Sequence, residues 1–328
     1  MSTIKTLLLH IIESLGGFQL LRRIKKDDPV ILMYHRVLQD EFINGLAPQE
    51  FEKQIAYINK HFNVVSIEDL FRDVTSNTVK PYSLVLTFDD GHYDFYANAW
   101  PILKKYNLPA SLYITTGFVD GATWLWPDLL KYILLNSNTA ILNVENLGNI
   151  SAHRTDHHAS WHKLGDHCLT LSVKARNNLL NKLANDAKIP ISNTPQSPFH
   201  SVTWSQLQEM HKEGLVIGSH TVTHPILSSL SIENLHYELA ASASAIQQHL
   251  GAVPAGICYP TGRPEDMSEG VIKAAELSGY TYGLMGRYSI FNHKRIFNIG
   301  RIAANKDFFY FKWTLARRKQ DISNNYIS

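Results

Sequence analysis

The chain has few cysteines, little net charge and no long apolar run, and each scarcity excludes a class of protein. Two cysteines in 328 residues, Cys168 and Cys258, are too few for a disulfide framework, and a reducing compartment fits this count. A net charge of +2, with no basic stripe interleaved with aromatics, predicts no nucleic-acid partner. No stretch of about 18 consecutive apolar residues occurs, so the sequence predicts no transmembrane span.

The N-terminal segment, residues 1–27, has the pattern of an amphipathic helix. Its apolar run contains His10 and Glu13 and lacks a small-residue cleavage site, so it does not match a signal peptide. Two interpretations fit the basic residues that follow the run: a helix packed on the domain, or peripheral contact with an anionic membrane surface. The missing signal peptide predicts a cytoplasmic location, with or without membrane association.

Short apolar runs alternate with helical patterns over residues 28–317, which predicts βα units around a parallel sheet or barrel. The strand candidates are rich in Val, Ile and Tyr: Val30–Tyr34, Leu84–Phe88, Ser111–Thr115, Leu215–Ile217, Gly256–Tyr259, Tyr282–Met285 and Ile299–Ala303. The helix candidates are a segment from Pro48 to Phe62, then Tyr93–Tyr106, Ser205–Lys212, Ile232–Leu250, Glu269–Leu277 and Asp307–Arg317. Residues 318–328 are assigned to a tail.

Residues 121–201 interrupt this alternation with scattered polar residues and are interpreted as an insertion. Trp124 and Trp126 are candidates to stack on sugar rings, although packing in a core fits them as well. Five histidines lie between His153 and His167, but their spacing matches no ligand pattern, which favours a solvated polar loop over a second metal site. As a segment after a strand, the insertion is a candidate wall of a substrate groove.

Two adjacent carboxylates, Asp89 and Asp90, end an apolar strand and precede Gly91. Alone, this is also a turn signal. At a buried strand end, however, two like charges disfavour joint ionisation, and a cation would resolve the conflict. His220 and His224 follow a second apolar run, so they are expected at the same edge of the sheet. One carboxylate and two histidines form the open three-ligand set of hydrolytic zinc sites, which leaves the other carboxylate free to act as a base.

Two further strand ends carry polar groups. His35 follows the first strand, where it is either a functional group or a satisfied core histidine. The run Tyr259-Pro260-Thr261-Gly262-Arg263 follows another strand and is either an ordinary turn or a turn whose Thr261 amide points into the site and binds an oxyanion.

These residues resemble the motifs of the polysaccharide deacetylase family, carbohydrate esterase family four, also called the NodB-homology domain. Its Thr-Phe-Asp-Asp-Gly motif is intact as Thr87–Gly91, and its His-Ser/Thr-x-x-His motif is His220–His224. Tyr259–Gly262 replaces the usual Arg-x-Pro-Tyr, as in the branch that acts on exopolysaccharides. The family's late Leu-x-x-His has no counterpart after residue 263, whereas Leu32–His35 has that form near the N-terminus. The resemblance covers about residues 28–120 and 200–303.

The resemblance implies a fold, a set of roles and a cofactor. The fold is a distorted (β/α)7 barrel. The cofactor is a divalent metal, Zn²⁺ in first place, held by Asp90, His220 and His224. The implied roles are Asp89 as base, His35 as acid, the Thr261 amide as oxyanion donor, and Arg263 or Arg301 as the partner of Asp89. Substrate contacts are assigned to Tyr259, Pro260, Arg263, Arg301, Trp124 and Trp126.

The predicted function is metal-dependent removal of N-acetyl groups from amino sugars of a polysaccharide or a lipid-linked saccharide. Two alternatives stay open at this stage. The first is a related metal-dependent C–N hydrolase, such as a deformylase, because fold does not dictate function. The second is a glycan-binding protein without catalysis. The expected partner is therefore a glycan or lipid-linked saccharide.

Overall fold

A curled sheet of parallel strands forms the centre of the molecule. The computed structural model describes residues 3–40, 42–289 and 291–318. Within them, eight strands form this sheet and two others form a separate hairpin. In chain order the strands are β1 (Val30–Tyr34), β2 (Asn63–Val64), β3 (Ser83–Phe88), β4 (Ser111–Ile114), β5 (Ile141–Val144), β6 (Gly148–Ser151), β7 (Val216–Ser219), β8 (Gly256–Cys258), β9 (Tyr282–Leu284) and β10 (Ile302–Ala303).

The strand order confirms the predicted distorted (β/α)7 barrel. Seven strands follow one another in the order β10-β1-β3-β4-β7-β8-β9, each pair parallel, and β2 adds to β3. The last segment joins the two ends of this path. Ile299 bridges Leu284 of β9, and three residues later Ile302 pairs with Leu32 of β1. The sheet thereby curls round on itself, and the carboxyl ends of its strands meet at one rim.

The central strands are continuously apolar because both of their faces are buried. Val30 and Leu32 belong to one cluster with the outer helices, whereas Ile31 belongs to a second cluster with residues from across the sheet. Side chains along a strand alternate between faces, so a parallel strand that is covered on both sides needs apolar residues at every position. This explains why the strands could be located from the sequence.

Glycines on two strands make room for tyrosines inside the barrel. The hydroxyls of Tyr113 and Tyr282 lie 2.9 Å apart in the interior, and both side chains are buried. A Cβ atom at Gly218 would lie 2.4 Å from the ring of Tyr113, and one at Gly256 would lie 2.1 Å from the ring of Tyr282. The barrel therefore encloses these rings only because the facing positions have no side chain.

The helices cover the outside of the sheet. In chain order they are α1 (Thr3–Ser14), α2 (Gly17–Ile24), α3 (Pro48–His61), α4 (Ile67–Thr75), α5 (Trp100–Lys105), α6 (Thr116–Val119), α7 (Trp126–Asn136), α8 (His157–Leu169), α9 (Val173–Asp186), α10 (Trp204–Lys212), α11 (Ile232–Leu250), α12 (Glu269–Leu277) and α13 (Phe308–Arg317). The bounds of α11 and α12 coincide with the predicted ones. Ser231 caps α11 at its start, and Gly251, with φ of 74°, ends it.

Two helix predictions are wrong in detail. The N-terminal segment, predicted as one helix over 1–27, forms the two helices α1 and α2, which turn at Gly16 with φ of 79°. Residues 1 and 2 lie outside the described part. The predicted helix Tyr93–Tyr106 consists of a π-helical turn over Phe95–Ala99 followed by α5. Pro101 has no amide hydrogen to donate, so it interrupts regular α-helical bonding there.

The insertion is a folded unit and not the solvated loop that its polar composition indicated. Helices α7, α8 and α9 and the hairpin of β5 and β6 bury a cluster of their own, to which Leu130, Trp161, Leu164 and Leu183 contribute. The apolar residues repeat at helical spacing between polar ones, and this pattern, rather than the average polarity, decides the structure.

Three smaller points complete the comparison. Strand β2 and helix α4 were not predicted from the sequence. No helix within the described part of the chain combines the length and apolar composition that crossing a bilayer requires. Of the predicted tail, 318–328, only Arg318 lies within the described residues.

The close approach of Gly218 to Tyr113 predicts that Gly218→Ala destabilises the barrel. We expect a loss of about 1–3 kcal/mol in the free energy of unfolding, because the added methyl group overpacks the interior. Chemical denaturation would measure it. The matched control is Gly270→Ala on α12, where the nearest atom to a new Cβ is 3.6 Å away. That substitution should be neutral or stabilising by about 0.5–1 kcal/mol, as alanine favours helix. Equal stability of both variants would contradict the packing argument.

Candidate active site

The turns that follow β1, β3, β7 and β8 bring the predicted site residues together at the carboxyl rim of the sheet. Asp90, Thr221, His224 and Thr261 all have positive φ angles, of 76°, 71°, 57° and 59°. Non-glycine residues rarely adopt this conformation, and it persists where surrounding contacts impose it, often at functional sites. The turns after β3, β7 and β8 are therefore strained at or beside the residues that the sequence predicted as site residues.

Asp90, His220 and His224 form a compact buried cluster. The Oδ1 atom of Asp90 lies 3.5 Å from Nε2 of His220 and 3.6 Å from Nε2 of His224. Ligands that share one ion tetrahedrally at about 2.0–2.2 Å lie roughly 3.3–3.6 Å from one another. Both distances from Asp90 have this spacing, and the three donor atoms lie within 4.8 Å of one another, so the cluster fits a divalent metal ion.

Hydrogen bonds fix the ring of His220 and the loop that carries both histidines. Nδ1 of His220 lies 2.7 Å from the carbonyl oxygen of Cys258, so Nδ1 donates and Nε2 keeps its lone pair. The backbone amides of Val222 and Thr223 donate to Oε2 of Glu238 at 2.8 and 2.9 Å. This buried carboxylate on α11 holds the loop that carries both histidines, a role that the sequence did not reveal.

The charges of the cluster also call for a cation. Burial, and after it the charges of Asp89 and Asp128, raise the pKa of Asp90 well above its usual range. Burial lowers the pKa of both His220 and His224, so these imidazoles are neutral, the form that binds metals. A divalent ion would offset the burial and repulsion that disfavour an ionised Asp90.

Asp89 is held apart from this cluster by Arg301, which settles the choice that the sequence left between Arg263 and Arg301. Nη1 of Arg301 donates to Oδ1 of Asp89 at 2.8 Å, and Nη2 donates to Oδ2 at 2.6 Å. Both side chains are at most 2% exposed. Burial raises the pKa of Asp89, but the Arg301 charge and its hydrogen bonds outweigh burial and hold the pKa below its usual range.

Asp89, His220 and Cys258 form a second group with donor atoms near one another. Arg301 already occupies both oxygens of Asp89, and its Nη2 also lies 2.9 Å from Sγ of Cys258. Burial raises the pKa of the Cys258 thiol well above its usual value, so the thiolate that a metal needs is disfavoured. Asp90, His220 and His224 are therefore the better ligand set.

His35 borders the same space. Its Nε2 atom lies 3.6 Å from Oδ2 of Asp89, and its side chain is 20% exposed. Burial lowers its pKa to about 4, although the Asp89 charge opposes the shift. His35 is therefore neutral at pH 7 and would have to gain a proton before it could act as an acid.

The turn after β8 is shaped by an ion pair that the sequence did not predict. Arg263 donates from Nε and Nη2 to the two oxygens of Asp266, at 2.6 and 2.7 Å, and does not contact Asp89. The hydroxyl of Thr261 also donates to Asp266. Within the described residues the Thr261 amide donates no hydrogen bond, and Thr261 lines the cavity. The amide thus has no acceptor among these residues, and its role as an oxyanion donor stays a prediction.

A second group of buried charges lies behind Asp90. Nε2 of His92 lies 2.6 Å from Oδ2 of Asp128, and its Nδ1 lies 3.8 Å from Oδ2 of Asp90. Arg36 donates from Nε to Asp94 at 2.7 Å and has Nη1 3.9 Å from Asp128. These residues were not among the predicted site residues. Three of them could have been found by position, since Arg36 follows His35 and both His92 and Asp94 follow Asp89-Asp90-Gly91. Asp128 comes from the insertion, where no motif marks it.

One cavity of about 460 Å³ is bordered by most of these groups: His35, Arg36, Asp89, Asp90, His92, Asp128, His220, His224, Thr261 and Arg301. Its walls come from the strand ends, the start of α7 and the segment around β10. Tyr259 lines it, with its hydroxyl bound to the Phe297 carbonyl at 3.1 Å. Trp126 reaches the cavity but is 5% exposed and packs under Arg176. The insertion does form a wall of the cavity, as predicted.

Three residues assigned to substrate contact do not line this cavity: Trp124, Pro260 and Arg263. Trp124 instead packs against Tyr132 and Phe199 and donates from Nε1 to the Ser192 carbonyl at 2.8 Å. The sequence predicted that Trp124 contacts the substrate, but in the folded protein its ring packs against other residues of the insertion.

Comparison with known proteins gives one family match and several relatives. A family model described as polysaccharide deacetylase matches residues 76–283, more than half of the chain. A Bacillus subtilis (strain 168) protein with the name "Putative polysaccharide deacetylase YxkH" is 22% identical over 266 residues, which are 80% of this chain and 66% of that protein. A poly-beta-1,6-N-acetyl-D-glucosamine N-deacetylase of Staphylococcus aureus (strain N315) is 28% identical over 123 residues, 33% of this chain and 42% of that protein. The chain thus spans about two thirds or less of the length of these relatives.

Two solved structures share the fold. The deacetylase PplD of Streptococcus pyogenes, in complex with acetate, has a TM-score of 0.59 at 19% identity, over 88% of this chain and 98% of that one. IcaB of Ammonifex degensii has a TM-score of 0.57 at 16% identity, over 89% of this chain and 97% of that one. The barrel described above is therefore the fold of known deacetylases.

The buried pair of Asp89 and Arg301 predicts a specific pattern of stability. We expect Arg301→Met to lower the free energy of unfolding by about 3–5 kcal/mol, because Asp89 is left buried without its partner. The double variant with Asp89→Asn should lose less than Arg301→Met alone. Without Arg301, burial would raise the pKa of Asp89, so Arg301→Met should regain stability relative to wild type as the pH falls.

Urea denaturation of the metal-free protein at several pH values would measure these effects. The matched control is Arg263→Met, which breaks a pair whose arginine side chain is 18% exposed, against 1% for Arg301. Arg263→Met should lower the free energy of unfolding by less than Arg301→Met does. Strictly additive losses in the double variant would contradict the direct coupling of Asp89 and Arg301.

Proposed function

This chain belongs to the polysaccharide deacetylase family, and from that premise we propose that it is a metal-dependent hydrolase that removes N-acetyl groups from amino sugars of a polysaccharide or lipid-linked saccharide. One observation carries the proposal. Asp90, His220 and His224 converge as ligands in the same cavity in which Arg301 holds the adjacent Asp89 ionised and apart from them. The site thus separates a ligand carboxylate from a base carboxylate.

We propose Zn²⁺ as the ion that Asp90, His220 and His224 hold. Two imidazoles and one carboxylate with an open position are the ligand set that catalytic zinc commonly takes. When bound there, such an ion would polarise the acetamide carbonyl and lower the pKa of a bound water toward neutrality.

The chain's own residues supply the proton transfers. Asp89, ionised beside Arg301, accepts a proton from the water that attacks the acetamide carbon. The Thr261 amide donates a hydrogen bond to the oxygen that becomes negative, an interaction of a few kcal/mol. His35, neutral at pH 7, takes the proton from Asp89, 3.6 Å away, and gives it to the nitrogen as the C–N bond breaks. Acetate and the free amino sugar are the products.

The substrate class is supported by relatives and by the shape of the site. One relative is a poly-beta-1,6-N-acetyl-D-glucosamine N-deacetylase, and PplD is a deacetylase solved with acetate. The cavity of about 460 Å³ is in the range of small-ligand pockets, and the Asp90 cluster, Asp89 and His35 all line it. We therefore propose an N-acetylglucosamine residue of a glycan, with its acetamide at the Asp90 cluster.

The test is acetate release from β-1,6-linked N-acetylglucosamine oligomers, with metal content measured on the same samples. We expect the wild type to release acetate, to lose activity with a chelator and to regain it with Zn²⁺. Asp89→Asn should keep the metal and lose turnover by roughly 10²–10⁴-fold, because only the base is removed. His224→Ala should lose both the bound metal and the turnover. Asp166→Asn, at an exposed position, is the matched control and should retain both the bound metal and the turnover.

The alternatives give different results in the same assay. Formate release from N-formyl sugars, with none of the acetate release, would replace the proposal by deformylation. Saturable glycan binding by a metal-loaded wild type without turnover would replace it by glycan binding alone. Activity that is indifferent to the chelator and to His224→Ala would overturn the metal-dependent mechanism.

A further inference from the structure

The cavity wall contains a buried lysine that the reaction above does not use. Lys131 lies on α7 of the insertion, is 4% exposed and lines the cavity. Its Nζ atom lies 4.4 Å from the centre of the Trp161 ring. Charged lysines are almost never this buried unless they are paired, so the position of Lys131 calls for an explanation.

Lys131 has no carboxylate within ion-pair distance among the described residues. Asp128, one turn earlier on the same helix, has its Oδ2 bound to His92 at 2.6 Å and its Oδ1 near Arg36. Burial lowers the pKa of Lys131 to about 8, Asp128 opposes the shift, and Arg36 and Lys306 add to it. The ammonium is therefore still mostly protonated at pH 7.

Lys306 adds a second positive charge to the same cavity. It is exposed, follows β10 and lines the cavity together with Asn44 and Asn305. Asp89 and Asp128 have their own partners, and Asp90 faces the two ligand histidines. Asp40, whose charge also raises the pKa of Lys131, is exposed and does not line the cavity, so the two lysines leave an excess of positive charge on its wall.

We propose that Lys131 and Lys306 form a subsite for an anionic substituent of the substrate, a carboxylate or a phosphate beside the acetamido sugar. The inference rests on the proposed deacetylation and refines its substrate class. A buried, undercompensated ammonium gains more from an anion than an exposed lysine does, because water screens the interaction less. Trp161 holds the side chain in place from behind, which reduces the entropy lost on binding.

The test compares three substrates that differ in charge: a neutral N-acetylglucosamine tetramer, a hyaluronan tetrasaccharide with carboxylates, and uridine diphosphate N-acetylglucosamine with phosphates. The wild type should favour at least one anionic substrate in kcat/KM. Lys131→Met should lower kcat/KM for that substrate roughly 10-fold or more, the usual effect of losing a charged hydrogen bond, and change the neutral substrate little. The two anionic arms distinguish a sugar acid from a phosphate.

Controls separate this subsite from a structural role and from the proposed reaction. Lys131→Arg should restore the preference, and Lys163→Met, an exposed lysine of the same insertion, should not alter it. Titration of the same three ligands into Asp89→Asn measures binding without turnover. Anion-selective binding that depends on Lys131 would support the subsite even if no acetate is released. Equal losses for neutral and anionic substrates, or no preference in the wild type, would overturn it.

A separate observation concerns the outer face of the helical pair α1 and α2. Six large apolar side chains between residues 7 and 24 are 50–82% exposed: Leu7, Leu8, Ile11, Leu15, Leu20 and Ile24. They recur at helical spacing, so each helix presents an apolar stripe outward. A contiguous exposed apolar face of this kind marks an interaction surface.

The opposite face anchors the pair to the domain. Leu9, Phe18 and Arg22 are buried, and Phe18 packs against Phe309 and Trp313 of α13. Of the two interpretations of this segment, the structure shows packing on the domain, and this packing leaves the exposed apolar stripes uncovered. The pair also adjoins the cavity, since Thr6 and the cavity residue Tyr310 share a hydrogen bond of 2.9 Å.

Basic residues lie beside the exposed stripes. Arg23 and Lys26 are exposed, and Lys60 lies with Leu15 and Leu20 around the same surface depression. A second copy of the chain would bring these like charges together, whereas anionic lipid headgroups would pair with them. We infer that this face docks on an anionic phospholipid surface, which would bring the cavity close to a lipid-linked saccharide.

Sedimentation of the full chain with vesicles tests this docking. We expect binding to phosphatidylcholine mixed with phosphatidylglycerol, weaker binding to phosphatidylcholine alone, and loss of the difference when salt rises from about 0.1 M to about 1 M. The triple variant Leu8→Gln, Ile11→Gln, Leu15→Gln should bind roughly 10-fold more weakly or worse, since each side chain contributes burial in the lipid.

The matched control is Ile232→Gln with Leu277→Gln, which removes exposed apolar side chains of similar size elsewhere. It should bind vesicles like the wild type. Equal binding by the triple variant and the wild type would overturn the inference. So would a wild-type dimer in light scattering that the triple variant converts to a monomer, because the face would then join two copies.

Discussion

The ion pair between Asp89 and Arg301 is the interaction on which the site depends. Two adjacent carboxylates at a buried strand end repel each other and cannot both ionise without help. Arg301 takes both oxygens of Asp89, which leaves Asp90 alone to face His220 and His224. The pair thereby creates two acids with different chemistry from two identical side chains. It also joins the segment just before β10 to the turn after β3, so the site lies where the sheet closes.

Other buried charges around the cavity also have partners. His92 and Arg36 satisfy Asp128 and Asp94, and Glu238 fixes the histidine loop by accepting two backbone amides. Buried charges in this network are stabilising only when each has a partner, because an unpaired one keeps its full desolvation cost. Lys131, which meets an aromatic ring and no carboxylate in the described part of the chain, is therefore the feature that points to a charged ligand.

Much of the barrel could be predicted because its strands are buried on both faces. Val30–Tyr34 was predicted to the residue, and the other central strands to within one or two, since continuous β-type runs have few other interpretations. The insertion was not predicted as a folded unit, because its helices bury a narrow apolar stripe between polar residues, so its average composition reads as polar. The one-helix prediction for 1–27 failed at Gly16, where a left-handed turn separates α1 from α2.

The sequence by itself determined the groups that are local: the paired acids after β3, the two histidines after β7 and the turn with Thr261 after β8. Each is a short motif at a strand end, and parallel strands carry such ends to one rim. Tertiary structure alone decided which arginine pairs with Asp89, that Trp124 points away from the cavity, and that Lys131 lines it. Arg301 is more than 200 residues from Asp89 in the chain and lies outside the family match, as does His35. Such pairings depend on how the sheet closes, and no local pattern encodes that distance.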